Sequence, residues 1–281
     1  MSSVDHVSGS NRLRWSGRTD RGRIRPNNED AFLGVQFDAM EVHHLGAVGE
    51  AWTGHLDFAF AVSDGMGGAM AGEYASRIAV QKIATLLPRS YRQSAMGLEV
   101  GYGDVMEELF AQVHSALKFL GTSYEECSGM ETTLSLCWFM PGRMVFGHVG
   151  DTRIYHFSAK ASTLLQLSHD DTHVGWLFRN GKINEREARN HPRRSVLQKA
   201  LGGGNQFVNP QVGSVIHESG DIFLVCSDGL VEGLDDAALA EVLRTTEFNG
   251  QPGAGPADRL VEESRVRSGR DNLTALVIRV D

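Results

Sequence analysis

Residues Phe58-Ala59-Phe60-Ala61-Val62-Ser63-Asp64-Gly65-Met66-Gly67-Gly68 decide how the rest of this chain is read. An apolar run of buried-strand length ends abruptly in Ser-Asp-Gly. A shorter echo stands at Ile222-Phe223-Leu224-Val225-Cys226-Ser227-Asp228-Gly229. A carboxylate at the tip of such a strand is pressed against the core, where an unpaired charge is costly. Two anionic tips brought together would suit divalent cations, which prefer oxygen ligands. The glycine after each aspartate lets the backbone turn sharply and exposes its own carbonyl. One copy alone reads equally well as an ordinary strand-to-turn junction, because Asp-Gly is a common turn dipeptide. Two copies, with more acids along the chain, favour the chemical reading.

The bulk properties narrow the field. The 281 residues carry a net charge of −8, with 41% hydrophobic and 22% charged residues. That is material for a soluble layered fold with a sizeable core. The acidic balance, with a pI near 5.8, argues against generic binding to nucleic acid or anionic membranes. No apolar segment reaches the roughly 18 residues that a membrane span needs. The first residues are polar and show no secretory pattern. Cys127, Cys137 and Cys226 form no CxxC pair, which suits a reducing, cytoplasmic setting. Cys226, inside an apolar run, reads as a small core residue.

Taken in order, residues 1–11 are expected to be a disordered leader and 12–281 a single domain. Pro26 and the paired Asn27-Asn28 make 21–30 a loop. Residues 38–54 are weakly patterned and read as a connecting loop or insertion. Helices are expected at Ala69–Leu87, closed by Pro88, and at Asp104–Leu120, with Asp104 as its N-cap. Short strands follow at Thr132–Phe139, Met144–Val149 and Thr152–Phe157, the last two joined tightly by Gly150-Asp151. Two small helices flank Gly181-Lys182-Ile183-Asn184, and Gly202-Gly203-Gly204 reads as a hinge. Strands near 211–216 and 221–226, helices at Asp235–Thr245 and Pro256–Arg267, and a strand at Leu273–Val280 complete the chain. Short turns between strands and helices set in pairs favour antiparallel sheets in layers with helices outside.

Acids recur at strand ends or turns: Glu29 and Asp30, Asp64, Asp151, Asp228 and Asp271. Carboxylates without nearby Cys or His pairs select hard cations such as Mg2+ or Mn2+ over zinc. Converging acids could hold two ions about 3.5–4 Å apart, the arrangement that clamps attacking and leaving oxygens in phosphoryl hydrolysis. Arg25 is a natural bidentate partner for phosphoryl oxygens. The residues thus point to a metal-dependent phosphohydrolase, without separating phosphatase from nuclease.

Arg25-Pro26-Asn27-Asn28-Glu29-Asp30, Val62 to Gly68, Gly147-His148-Val149-Gly150-Asp151-Thr152-Arg153, Cys226-Ser227-Asp228-Gly229 and Asp271-Asn272 resemble, in order, the motifs of one family. It is the metal-dependent serine/threonine protein phosphatases of the 2C type, in their bacterial form. The resemblance implies an α+β fold: a four-layer α-β-β-α sandwich of two packed antiparallel sheets flanked by helices. It implies hydrolysis of phosphoserine and phosphothreonine on cytoplasmic signalling proteins, the targets of a serine/threonine kinase, by a metal-bridged water. Two Mn2+ or Mg2+ ions would be held by Asp64, the Gly65 carbonyl, Asp228 and Asp271, with Glu29 and Asp30 acting through metal-bound waters. Asp151 would join Asp228 in a third site, and Arg25 would grip the phosphate. Residues 168–202 resemble the family's flap.

Three positions depart from the pattern. Met66 stands where many eukaryotic members have a His proposed as general acid. Glu131 replaces a usual Gly, and Asp171 replaces a common His, giving the flap a different charge toward substrates. His148 reads as a packed core histidine, and Arg193-Arg194 as a solvated pair or a phosphopeptide contact. Two other functions stay open on sequence alone. One is a pseudophosphatase, the same fold used as a regulatory binding module; the other is a different metal-dependent phosphohydrolase acting on nucleotides or nucleic acid.

Overall fold

The structure is a computed structural model that describes residues 11–54, 56–67, 71–95, 101–204, 208–245, 247–248 and 250–281, with the backbone alone for 92–95. Apart from Asn11, the expected leader lies outside these residues, as does Gly68 of the opening stretch. The strands are β1 (Arg12–Asp20), β2 (Asp30–Phe37), β3 (Val42–His44), β4 (Val48–Trp52), β5 (Asp57–Met66), β6 (Glu131–Thr132) and β7 (Leu134–Met140), then β8 (Arg143–Val149), β9 (Arg153–Ser158), β10 (Thr163–Gln166), β11 (Leu201–Gly202), β12 (Gln211–Ile216), β13 (Ile222–Cys226) and β14 (Leu273–Val280). The helices are α1 (Ala71–Ala95), α2 (Tyr102–Ser123), α3 (His173–Arg179), α4 (Glu185–Arg189), α5 (Asp228–Gly233), α6 (Asp236–Thr245) and α7 (Pro256–Arg267).

Two antiparallel sheets result. One runs β10-β9-β13-β14-β1-β4; the other is built on β3-β2-β5-β7-β8-β12, with β6 and β11 extending it from the end of β5. Strand alternation explains the layering. In β5, Phe58, Phe60 and Val62 enter the core between the sheets, where Phe60 meets Phe139 edge-on at 5.8 Å. Ala59 and Ala61, on the opposite face, join the core under α1 and α2. Large residues fill the inter-sheet space, and small ones let a helix lie close. β14 and β13 repeat this, with Ile278 and Phe223 facing the other sheet and Val277 and Leu224 packed under α6 and α7. The four-layer α-β-β-α sandwich is therefore the observed fold.

Several elements differ from the pattern-based expectation. Helix α1 runs through Pro88 to Ala95. An interior proline costs a helix about 3 kcal/mol, but Ile83, Ala84 and Leu87 are buried before it and Tyr91 packs edge-on against Phe37 beyond it, so tertiary contact outweighs the break. In α2 the N-cap is Gly101, and the Asp104 carboxylate reaches back to accept the Gly101 N–H at 3.1 Å. Residues 38–54 form β3 and β4, which extend one edge of each sheet. Gly150-Asp151 is tight but joins no hairpin, because β8 and β9 belong to different sheets. Glu131 pairs with Gly202 across β6 and β11, and the bare Cα of Gly203 leaves room for its side chain.

One half-buried carboxylate, away from the acidic strand ends, serves the fold. Asp57 Oδ2 accepts from the Trp138 indole N–H at 2.8 Å, and burial pushes its carboxyl up to about 6. Because the folded value exceeds the unfolded one, stability is lost as pH rises from about 4 through about 6. Asp57→Asn keeps an acceptor for Trp138 but removes the titration. In urea unfolding, the variant should gain on the parent across this window by up to about 3 kcal/mol, with no further change above pH 7. A constant difference from pH 4 to 8 would contradict this account.

Candidate metal centre

The register of β2 and β5 places Asp30 directly opposite Asp64. At the same end of the sandwich, β8 delivers the Gly150-Asp151 turn, β13 delivers Ser227-Asp228, and Asp271 precedes β14. Asp228 is also the first residue of α5, a helix that the Ser-Asp-Gly reading as a plain turn missed.

Polar residues in otherwise apolar strands hold these acids. Ser227 Oγ and Thr274 Oγ1 both donate to Asp30 Oδ2, at 2.7 and 2.6 Å, while Asp30 Oδ1 is buried without a partner. The Asp64 backbone is fastened at both ends, its N–H to Thr133 Oγ1 at 3.0 Å and its carbonyl to the Thr133 N–H at 2.9 Å. Asn272 accepts the Glu29 N–H and donates to the carbonyls of Arg21 and Asn27, which fixes the loop carrying Arg25. The Gly65 N–H donates to the Glu29 carbonyl at 3.1 Å. A Cβ on Gly65 would collide with the Gly72 carbonyl, so the start of α1 can lie against it only because Gly stands there. Ser227, Thr274, Thr133 and Asn272 were not read as functional from the sequence. Their signal was present as hydroxyls and an amide at strand ends where neighbours are Val, Leu and Ala.

The electrostatics are those of a site that wants cations. Burial, then Asp30, Asp228, Asp151 and Asp271, holds the Asp64 carboxyl well above the ordinary carboxylate range. Burial, with Asp228 and Asp271 adding, raises Asp30 to about 7 despite its two hydroxyl donors. Asp228 is lifted to about 6 by burial and then Asp271, and Asp151 is pushed well up by burial and Asp228. Among the described residues, no three His, Cys, Asp or Glu side chains are drawn into a ready-made cage. Hard ions that keep several waters need few direct carboxylates. The all-oxygen donor set, the orphaned Asp30 Oδ1 and the shared repulsion together fit Mg2+ or Mn2+. Arg25 lies on the exposed loop with its guanidinium on Asp271 Oδ2 at 2.6 Å.

The other sequence candidates sort clearly. His148 is fully buried: Nδ1 meets Ser135 Oγ at 2.9 Å, and Nε2 faces the Gly150 and His169 carbonyls, as expected for a core histidine. Cys226 is buried, with its thiol pushed up by burial. Arg194 pairs with Glu232. Asp171 turns inward to the Gly150 N–H and Lys199, correcting the expectation that it offers charge to substrates.

A sandwich of this layering, here with acids at one end of both sheets, is shared with solved bacterial serine/threonine phosphatases. The family model for protein phosphatase 2C matches residues 47–262. The serine/threonine protein phosphatase PstP of Mycobacterium tuberculosis is 32% identical over 269 residues, covering 94% of this chain and 44% of that protein. The chain thus spans less than half the length of that relative. The serine/threonine phosphatase stp of Listeria monocytogenes is 30% identical over 266 residues, covering 94% of each. The PstP catalytic domain solved in complex with two manganese ions superposes with a TM-score of 0.74 at 29% identity, covering 96% of this chain and 99% of that one. This chain belongs to the protein phosphatase 2C family.

Thr274→Val should test the hydroxyl clamp on Asp30. Partners that orient a ligand typically contribute 10–100-fold in metal affinity. Titration calorimetry should show Mn2+ binding weakened by about that factor, while the far-UV circular dichroism of the metal-free protein is unchanged. Unchanged affinity would mean that Asp30 needs no such orientation.

Proposed function

We propose that this chain hydrolyses phosphoserine and phosphothreonine on proteins, using Mn2+ or Mg2+ at the acidic end of the sandwich. The carrying observation is the convergence of Asp30, Asp64, Asp151 and Asp228, whose burial and, after it, mutual repulsion raise their carboxyls and whose best-held member keeps one buried oxygen without a partner. Asp64, the Gly65 carbonyl, Asp228 and Asp271 are the direct ligands in this reading, with Glu29 and Asp30 acting through water and Asp151 with Asp228 forming a further site. Divalent ions bound there supply charge neutralisation and a water acidic enough to be a nucleophile near neutral pH.

The chain's own residues do the rest. Arg25, raised above its ordinary value chiefly by its hydrogen bond to Asp271, stays a cation throughout the working range. It leaves that carboxylate to fork onto the phosphoryl oxygens, a bidentate geometry suited to either partner. Met66 carries no titratable proton, so that position supplies no general acid. A cleft of about 860 Å3 opens beside the centre, with Asp151 and Asp228 on one side and the flap residues Val174, Phe178 and Arg189 on another. It has room for the peptide around a phosphorylated residue. The substrates in this reading are phosphoproteins made by a serine/threonine kinase in the cytoplasm. No helix among the described residues is long and apolar enough to cross a membrane.

Activity on a phosphothreonine peptide should vanish with chelator and return with Mn2+ or Mg2+. Asp64→Asn and Asp228→Asn should lower kcat at least about 10²–10³-fold, the scale for removing one preorganised charge from a reaction centre, with circular dichroism unchanged. Arg25→Ala should raise KM about tenfold or more, since charged hydrogen bonds contribute about 1.5–3 kcal/mol. Full activity in chelator, or in Asp64→Asn with metal, would overturn the reading.

A further inference from the structure

Residues 169–171 and the Gly150-Asp151 turn are fastened together unusually thoroughly. The Asp171 N–H donates to the Gly150 carbonyl at 2.7 Å, and the Gly150 N–H donates back to Asp171 Oδ2 at 3.1 Å. Both polar groups of Gly150 are therefore held by one residue. Its φ of +111° belongs to glycine, and a Cβ there would strike Thr133, the residue that fastens Asp64. His148 Nε2 adds a third tie, facing the carbonyls of Gly150 and His169. Arg153 adds a fourth, forking onto both oxygens of Asp170 at 2.9 and 2.7 Å.

Asp171 also holds the returning limb of the flap. Its carbonyl accepts the Gln198 N–H at 2.7 Å, and Oδ1 pairs with Lys199 Nζ at 3.3 Å. The neighbouring Thr172 bridges to Leu197. Both ends of the segment carrying α3 and α4 thus meet at one carboxylate, which is 17% exposed. Its other oxygen is on the backbone of the turn that bears Asp151.

We propose that Asp171 is a positioning residue that locks the flap to the Asp151 wall of the centre, and thereby determines how the enzyme takes protein substrates. The flap forms one side of the cleft, so its placement governs how a peptide lies over Asp151 and Asp228. A small phosphate ester does not reach α3 or α4 and is indifferent to the lock. The substrate part of this proposal rests on the phosphatase reading; the mechanical part does not.

Two variants separate the contacts. Asp171→Ala removes the carboxylate from both Gly150 and Lys199. Lys199→Met removes the ion pair while leaving the Gly150 N–H bonded. Amide hydrogen exchange on the metal-free protein should show the Gly150 amide exchanging at least about tenfold faster in Asp171→Ala and unchanged in Lys199→Met. The segment 172–198 should exchange faster in both, while β14 and α7 keep their protection. With Mn2+ present, KM for a phosphothreonine peptide should rise about fivefold or more in both variants, with kcat/KM for p-nitrophenyl phosphate within twofold of the parent in Lys199→Met, which leaves the Gly150-Asp151 turn bonded. Unaltered exchange at Gly150 would overturn the lock, and faster exchange throughout β14 and α7 would reduce Asp171 to a general stabilising residue. Equal losses on both substrates in Lys199→Met would overturn the specificity role. If the parent protein cleaves neither substrate, the phosphatase reading fails while the exchange data still judge the lock.

Discussion

Carboxylates brought together against a dry core repel one another, and this repulsion is the constraint around which the molecule is arranged. Asp30 and Asp64 are partners across two adjacent strands, so the sheet register itself fixes their opposition. Asp228 and Asp271 arrive from the second sheet and Asp151 from the crossing between the two. Such an assembly is unfavourable without compensating positive charge. It survives because the strands behind it bury large apolar faces on both sides, and because hydroxyls and amides pin the acids where they stand.

That division of labour runs through every strand that reaches the site. In β5 the phenylalanines and Val62 knit the sheets together, the alanines admit the helices, and Asp64 is left at the tip. In β14, Thr274 breaks the apolar run at the one level where its hydroxyl reaches Asp30. Ser227, just past β13, reaches it too, and its Oγ also accepts the Thr274 N–H, so the two sheets are cross-linked through Asp30 itself. The metal centre and the junction of the sheets are one network. Arg25 is part of it too, since its loop is held by Asn272 and its charge rests on Asp271.

Much of this was legible in the order of residues. The buried strands were readable because they are buried on both faces and hence continuously apolar, and α7 and β14 stood at the expected residues because Pro256 and the run from Leu273 mark their starts. Pro88 misled because a local rule about a missing N–H carries no information on what packs beyond it. The region 38–54 misled because edge strands need only one bonded neighbour and show little hydrophobic alternation. The Gly150-Asp151 junction looked like a hairpin since a tight turn is the same whether its strands pair or part. Asp171 was read as an outward charge because no sequence pattern says which backbone amide a carboxylate will find.

The chain by itself determined the layered class of the fold, the identities of the acids and their places at strand ends, because apolar periodicity and residue chemistry are local properties. Only the tertiary structure decided that those ends lie together, that Asp30 faces Asp64, that Ser227 and Thr274 converge on a single oxygen, and that Asp171 faces inward. Each of those facts depends on register between strands distant in sequence, and register is set by how whole faces pack.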